Sequence, residues 1–278
     1  MQDLHEKRLA FIGGGNMGRA IIAGLVGNGF PGARIAVADP QPATLSELAG
    51  TYGVTTTHDN AAALTDADLV VLAVKPQQMA DVVAPLRRTL AAGRPLVLSV
   101  AAGIRAADLA RWTGPGIPVV RSMPNRPALL GAGATALYAE DNVDASAREL
   151  AEAVLKVTGH TTWVRTEAEL DWVTALSGSG PAYFFLLAEL LARCAVAHGL
   201  DAATAAQLAA HTLHGAGRMA VLPAADLATL RAEVTSKGGT TAAALASFEA
   251  DDLADVVQRA MSAAARRSEE LGDQFGTG

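Results

Sequence analysis

A glycine turn near the start of the chain, Gly13-Gly14-Gly15-Asn16-Met17-Gly18, constrains the fold more than any other stretch. The apolar run Leu9-Ala10-Phe11-Ile12 precedes it, and a helix-like run over residues 20–26 follows it. Strand, glycine turn and helix form the setting in which G-x-G-x-x-G binds a dinucleotide. In that reading Gly13 permits the tight turn, Gly15 lets the backbone approach a pyrophosphate, and Gly18 lets the helix close on the strand. The N–H groups of the first helical turn, at the positive end of the helix dipole, then face the phosphates. A plain turn uses the same glycines, so the motif has to be judged in its context.

That context is regular. Strand-like runs recur at residues 34–38, 68–74, 95–100 and 118–123, with helical periodicity at 40–49 and 79–90 between them. Alternating helices and near-continuous apolar strands predict a parallel sheet covered on both faces. Such sheets bind ligands beyond the carboxyl ends of their strands. The segments placed there are the glycine turn, Asp39, Val74-Lys75-Pro76, Ala101-Ala102-Gly103 and Met123-Pro124-Asn125. Asp39 lies about twenty residues beyond Gly18, where an acidic residue hydrogen-bonds the adenosine ribose. By itself it favours NAD over NADP, because its charge opposes a 2′-phosphate. Its alternative role is an N-cap before Pro40. Asn60 stands before a helical stretch at 61–64, and either caps it or reaches the adenine end.

The second half has a different pattern. Residues 145–157 read as a helix and 161–164 as a short strand; strand signals then stop. Residues 167–176, 181–200, 202–222 and 253–271 all read as helices. The expected fold is an α/β Rossmann-type dinucleotide-binding domain at 1–166 followed by an all-α domain at 167–278. No Pro, Gly or Ser linker marks the boundary. The longest apolar stretch, 181–200, contains Glu189, Arg193 and His198, which argues for a buried helix rather than a membrane span. Two small-residue stretches interrupt the helices, Ser177-Gly178-Ser179-Gly180-Pro181-Ala182 and Val234-Thr235-Ser236-Lys237-Gly238-Gly239-Thr240-Thr241. The second leads into a helix at 242–248. Glycines with hydroxyls at a helix N-terminus suit a small carboxylate. Capping by one Ser or Thr accounts for a single hydroxyl but leaves the doubled glycines unexplained.

Composition narrows the function. A net charge of −6, with no basic cluster longer than Arg266-Arg267, excludes a nucleic-acid binder. With 50% hydrophobic and 18% charged residues, the chain is a packed protein and not a disordered one. The single cysteine, Cys194, leaves no internal disulfide, and the charged start lacks the apolar run of a signal peptide, so a cytoplasmic location is expected. His211 and His214 share a helix face without a carboxylate one turn away, so no metal site is expected. There is no G-x-S-x-G. A reaction run by this chain therefore needs little protein acid–base chemistry. Hydride transfer to an already protonated C=N carbon has that property, with the cofactor supplying the chemistry and the protein the geometry.

The chain resembles the Δ1-pyrroline-5-carboxylate reductase family. The resemblance is carried by Phe11-Ile12-Gly13-Gly14-Gly15-Asn16-Met17, Val74-Lys75-Pro76-Gln77, Ser99-Val100-Ala101-Ala102-Gly103, Val120-Arg121-Ser122-Met123-Pro124-Asn125, Ala175-Leu176-Ser177-Gly178-Ser179-Gly180-Pro181-Ala182-Tyr183 and residues 234–241, in that order. It implies NAD(P)H-dependent reduction of 1-pyrroline-5-carboxylate to L-proline, with NADPH as the usual cofactor and NADH as the other. Gly13, Gly15, Asn16 and Met17 would touch the pyrophosphate. Asn60 and Ala73, Val74, Lys75 and Pro76 would line the rest of the cofactor site, with Ala101 and Ala102 near the nicotinamide. Ser236, Gly239, Thr240 and Thr241 would hold the substrate carboxylate, and Thr241 would also bond the ring nitrogen as the catalytic residue. Ser177 and Gly178 would help shape the pocket. The resemblance further implies a homodimer sharing its sites between subunits, with decamers built from dimers. Gly18, Arg126 and Lys237 depart from the family's usual Ala, Thr and Pro.

Two other readings compete. A β-hydroxyacid dehydrogenase shares the two-part architecture but wants a lysine on the first long helix of the second half, and none occurs between Glu167 and Arg193. A non-catalytic dinucleotide sensor would keep the first glycine turn and lose the hydroxyl loop, which here is intact.

Overall fold

The structure is a computed structural model and describes residues 4–222 and 226–276. It divides into two compact units, one formed by Met1–Ser179 with Ala264–Gly278 and the other by Gly180–Ala263.

The first unit is built on one sheet. Its strands are β1 (Leu9–Ile12), β2 (Ile35–Ala38), β3 (Thr55–Thr57), β4 (Leu69–Leu72), β5 (Leu96–Ser99), β6 (Val119–Met123), β7 (Gly133–Ala139) and β8 (Gly159–Trp163). Their spatial order is β3-β2-β1-β4-β5-β6-β7-β8. The chain reverses direction across the sheet between β1 and β4, where Phe11 sits in register with Val37 on one side and Val71 on the other. This is the doubly wound order with its switch point beside β1. The expected all-parallel sheet needs one correction. β7 runs antiparallel to β6, with Ser122 opposite Leu137, and only the other pairings are parallel.

Alternation along the strands sends side chains to two cores. Leu9 and Phe11 join Ile21, Leu25, Val37 and Val71 on one face. Ala10 and Ile12 join Val70, Leu72, Met79 and Val97 on the other. Both faces are therefore covered, as near-continuous apolar strands require. Each large side chain so buried stabilises the unit by about 1.5–3 kcal/mol.

The covering helices are α1 (Asn16–Gly27), α2 (Pro42–Tyr52), α3 (Asn60–Ala63), α4 (Met79–Val83), α5 (Arg87–Gly93), α6 (Ala106–Thr113), α7 (Ala145–Lys156) and α8 (Glu169–Val173). Prolines set two boundaries that differ from the sequence pattern. α2 starts at Pro42, with Pro in its first turn, two residues later than expected. The single helix expected over 79–90 is broken by a 3₁₀ turn, Ala84–Leu86, where Pro85 lacks an N–H to donate. The first unit also extends beyond Thr166. Leu170, Asp171 and Ala175 are buried in it, as are Ala265 and Ser268 near the C-terminus.

The second unit is helical, with α9 (Gly180–Ala197), α10 (Ala202–Ala220), α11 (Leu227–Glu233), α12 (Thr240–Ala250) and the first part of α13 (Leu253–Gly276). α9 packs on α10. Aspartates cap the next two helices: Asp201 accepts from Thr204 N at 3.0 Å and Asp226 from Thr229 N at 2.8 Å. The expectation of a buried helix at 181–200 is wrong for one chain. Phe184 and Phe185 are 60% and 61% exposed, and Leu186, Leu187, Leu190 and Leu191 stand open beside them. Only Gly180 and Ala205 are buried among the described residues of this unit. The helical run Glu169–Ala197 is long and apolar enough to cross a membrane by length and composition alone.

Candidate active site

The glycine turn sits at the switch point. Gly13 follows β1 with φ +99°, and a Cβ there would lie 2.6 Å from the Ala73 carbonyl oxygen at the end of β4. Only glycine tolerates both conditions. Gly18 is equally constrained, since its Cβ would lie 2.5 Å from the Gly13 oxygen. Gly15 differs. A Cβ at that position would meet nothing within 4 Å. Gly15 is also the N-cap of α1, so no side chain caps the first-turn N–H groups, and exposed Asn16 and half-buried Met17 follow it. This is an anion cradle of the shape a pyrophosphate needs. The residues present therefore fit a dinucleotide.

Asp39 closes the turn from the β2 side. Its Oδ2 accepts the Gly14 N–H at 2.8 Å and its Oδ1 accepts the Gln41 N–H at 2.8 Å. It is not the N-cap of α2, a position held by Gln41. Asn60 is not a cap either. Asp59 caps α3 by accepting the Ala61 N–H at 2.8 Å, and Asn60 is the first helical residue. Ala73, Val74, Lys75 and Pro76 continue from β4, with Ala73 N–H bonded to the Ile12 oxygen at 2.8 Å and Lys75 exposed. Ala101 and Ala102 follow β5, and Ala101 N–H bonds Ser99 Oγ at 3.3 Å. The turn ends at Gly103, with φ +73°.

The end of β6 carries the next group. Asn125 donates from Nδ2 to the Ser177 carbonyl at 3.0 Å and accepts the Ala134 N–H at 2.9 Å. A Cβ on Gly178 would lie 2.5 Å from Met123 Cε. Ser177 and Gly178 are thus brought to the β6 end. They do not interrupt a helix, as expected, but close a π-turn, Thr174–Gly178, a form often found at functional sites.

A buried charge cluster stiffens this edge, and it was not visible in the sequence pattern. Arg121, 5% exposed on β6, pairs with Glu167. The Glu167 carboxylate also accepts the Ala106 N–H at the start of α6 at 2.6 Å. Arg105 pairs with Asp171 at 2.8 Å, and Asp171 accepts Ser268 Oγ at 2.7 Å. Burial pushes the Arg121 guanidinium below its ordinary value against the pull of Glu167. At Arg105 burial acts the same way, but the hydrogen bond and charge of Asp171 outweigh it and raise the value. The helix that follows the 101–103 turn is therefore tied to β6, α8 and α13 together.

The hydroxyl loop lies in the second unit. Gly238 has φ +72°, and a Cβ there would meet nothing within 4 Å. Gly239 N–H bonds the Ser236 oxygen at 3.0 Å, and Gly239 is the N-cap of α12 without a side-chain cap bond. The helix begins at Thr240 and not at 242, so Thr240 and Thr241 occupy its first turn. Capping by Ser or Thr, the alternative reading, does not occur at this N-terminus. Ser236, Lys237 and Thr240 are exposed, and Thr241 is half-buried.

Comparison with known proteins gives this geometry a family. Residues 167–271 match the family described as pyrroline-5-carboxylate reductase dimerisation, and residues 8–103 match NADP oxidoreductase, coenzyme F420-dependent. The chain is 45% identical to the pyrroline-5-carboxylate reductase of Pseudomonas aeruginosa over 97% of its own length and 98% of the relative's. It is 43% identical to that of Vibrio alginolyticus, covering 98% and 100% of the two chains. The chain belongs to the pyrroline-5-carboxylate reductase family. Among solved structures, the pyrroline-5-carboxylate reductase of Coxiella burnetii superposes with a TM-score of 0.92 at 40% identity, over 95% of this chain and 98% of that one. The Plasmodium falciparum pyrroline carboxylate reductase with NADP bound superposes with a TM-score of 0.82 at 26% identity, over 96% and 99%.

Proposed function

We propose that this enzyme reduces 1-pyrroline-5-carboxylate to L-proline with NAD(P)H, the last step of proline synthesis. The observation that carries the reading is the loop at the start of α12, which offers two threonines, a serine and an uncapped helix N-terminus to a small carboxylate. The open cradle in front of Gly15 is its counterpart for the dinucleotide.

We assign cofactor binding to residues 1–166, and dimerisation and substrate binding to 167–278. When bound, the nicotinamide supplies the hydride that the imine carbon accepts. The chain's own residues bind and orient. Gly13, Gly15, Asn16 and Met17 hold the pyrophosphate, with Asp39, Asn60 and the turns Ala73-Val74-Lys75-Pro76 and Ala101-Ala102 along the rest of the cofactor. Ser236, Gly239 and Thr240 hold the substrate carboxylate. The Thr241 hydroxyl bonds the ring nitrogen, and Ser177 and Gly178 shape the pocket wall. None of the substrate-side residues is an acid or a base, which suits transfer to an imine that arrives protonated.

The open apolar face of α9 is covered by a second copy of the chain, giving a homodimer that assembles further to a decamer. The match to the dimerisation family supports this occupant over lipid. Glu189 and Arg193, both charged and on that helix, oppose a bilayer. We place the enzyme in the cytoplasm, where its one exposed cysteine stays reduced.

Purified protein should oxidise NADPH or NADH only when pyrroline-5-carboxylate is added; no turnover with either would sink the reading. Thr241→Ala should lower kcat/KM by the equivalent of about 1–3 kcal/mol, the cost of an unpaired polar contact. Unchanged kinetics would remove Thr241 from the site. Light scattering should give the mass of two or ten chains without detergent.

A further inference from the structure

We propose that this enzyme selects NADH over NADPH and that Asp39 decides the choice. The inference rests on the dinucleotide reading of the glycine turn.

The carboxylate of Asp39 stands at the carboxyl end of β2, next to the strand that carries the glycine turn. Both of its oxygens are held by backbone N–H groups, Oδ2 by Gly14 and Oδ1 by Gln41, each at 2.8 Å. Two N–H donors fix its orientation, and the lone pairs left over remain acceptors for hydroxyl donors. An acid at this place accepts the ribose 2′-hydroxyl of NADH. The same acid faces a 2′-phosphate with like charge, at close range and partly shielded from water.

A phosphate would then need a cation to offset that repulsion, and the chain places none in this half of the sheet. From Ile35 to Val74 the sequence contains neither Lys nor Arg, while Asp39, Glu47, Asp59, Asp66 and Asp68 all fall within it. This stretch comprises β2, α2, β3 and α3, on the adenosine side of the switch point, and β4 across it. Arg19 on α1 approaches from outside the stretch, but its guanidinium forks onto both oxygens of Glu47. Lys75 follows β4, across the switch point from Asp39. His58 is the one basic side chain inside the stretch, with Nδ1 3.0 Å from the Asp39 backbone oxygen. The test is run at about pH 8, which keeps imidazole charge out of the comparison.

Asp39 has a second task that the test must separate. By bonding Gly14 N–H it braces the turn itself, so a substitution there can weaken both cofactors together. Gln41 offers an independent handle. Its side chain is exposed, and its hydrogen bonds are backbone ones, the N–H to Asp39 and the carbonyl from the Leu45 N–H.

The experiment is equilibrium titration of the purified enzyme with NADH and with NADPH, followed by nicotinamide fluorescence without substrate. The wild-type dissociation constant for NADH should be at least about tenfold below that for NADPH. Gln41→Arg should tighten NADPH by about tenfold, through a charge-assisted phosphate contact, and change NADH by less than about twofold. Asp39→Asn should narrow the ratio of the two constants by about fivefold or more, whatever it does to both. NADPH binding as tightly as NADH in the wild type would overturn the proposal, as would an unchanged ratio in both variants or no binding of either cofactor. Tight NADH binding without turnover of pyrroline-5-carboxylate would leave the selectivity standing and remove the reductase reading instead.

Discussion

The two glycine-rich turns are built alike and finished differently. Each leads into a helix whose N-cap is a glycine with no side-chain cap bond, Gly15 for α1 and Gly239 for α12. Around the first turn the same unit supplies every wall. The Ala73 oxygen presses on Gly13, Leu48 and Thr44 press on Gly14, and Asp39 bonds its backbone. Around the second, Ser236, Lys237, Gly238 and Thr240 are exposed, and nothing lies near a Cβ on Gly238. The first turn is complete within one chain. The second sits in a unit with almost no core of its own, on helices whose apolar faces are open. A helical unit so poorly buried cannot hold a precise loop alone. The comparison teaches that the first unit is closed around its own turn, whereas the second leaves its loop and its apolar faces open.

The largest expected effect breaks the second unit alone. Leu186→Asp with Leu190→Asp puts two charges on the open face of α9. The variant should sediment as single chains and lose activity by more than about a hundredfold, because a charge at a buried interface is costly. Nicotinamide fluorescence should still report NADH binding; if binding vanishes too, the two halves are not independent. The converse break is Gly13→Ala, which forces a side chain into φ +99° and onto the Ala73 oxygen. It should destabilise the first unit by about 3 kcal/mol or more in urea denaturation and abolish cofactor binding, with the oligomeric mass unchanged.

A smaller effect is expected at the charge cluster. Arg121→Met leaves Glu167 without its ion-pair partner at the start of α6. A loss of about 2–4 kcal/mol is expected, since removing one member of a buried pair strands the other. A neutral result would show that the Ala106 N–H satisfies Glu167 by itself. The smallest effect concerns acid. The backbone N–H groups of Thr204 and Thr229 hold the carboxyls of Asp201 and Asp226 below their ordinary values. A carboxyl depressed by folding stabilises above its unfolded value and loses that contribution as pH falls through the folded one. Thermal melts should therefore fall below about pH 4, and Asp201→Asn with Asp226→Asn should flatten that acid limb. An identical limb would show that acid unfolding is governed elsewhere.

Much of the first half was legible because its signals are local. Leu69-Val70-Val71-Leu72 reads as a buried strand from its side chains alone, and it is one. β7 was not legible. Gly133-Ala134-Thr135-Ala136-Leu137-Tyr138-Ala139 is mostly small, and it becomes a strand by pairing with β6 and β8. The cap at α3 was misassigned between neighbours. Asp59 and Asn60 are both good caps, and the backbone turn decided for Asp59. The Arg121–Glu167 and Ser268–Asp171 contacts join residues 46 and 97 apart, a distance over which sequence spacing says nothing.

What the sequence by itself determined is the glycine turn, the sheet around it and the kind of chemistry. Glycines at three fixed spacings, an acid at the end of the next strand and a hydroxyl loop are statements about residue type, and residue type is what local geometry and chemistry require. The tertiary structure decided where those pieces meet and which surfaces stay open. Only packing shows that Asp39 spends its carboxylate on Gly14 and Gln41, and that α9, apolar enough to be a core helix, keeps its large side chains exposed among the described residues. Hydrophobicity records that a surface must be covered, but it carries no record of whether the cover belongs to the same molecule.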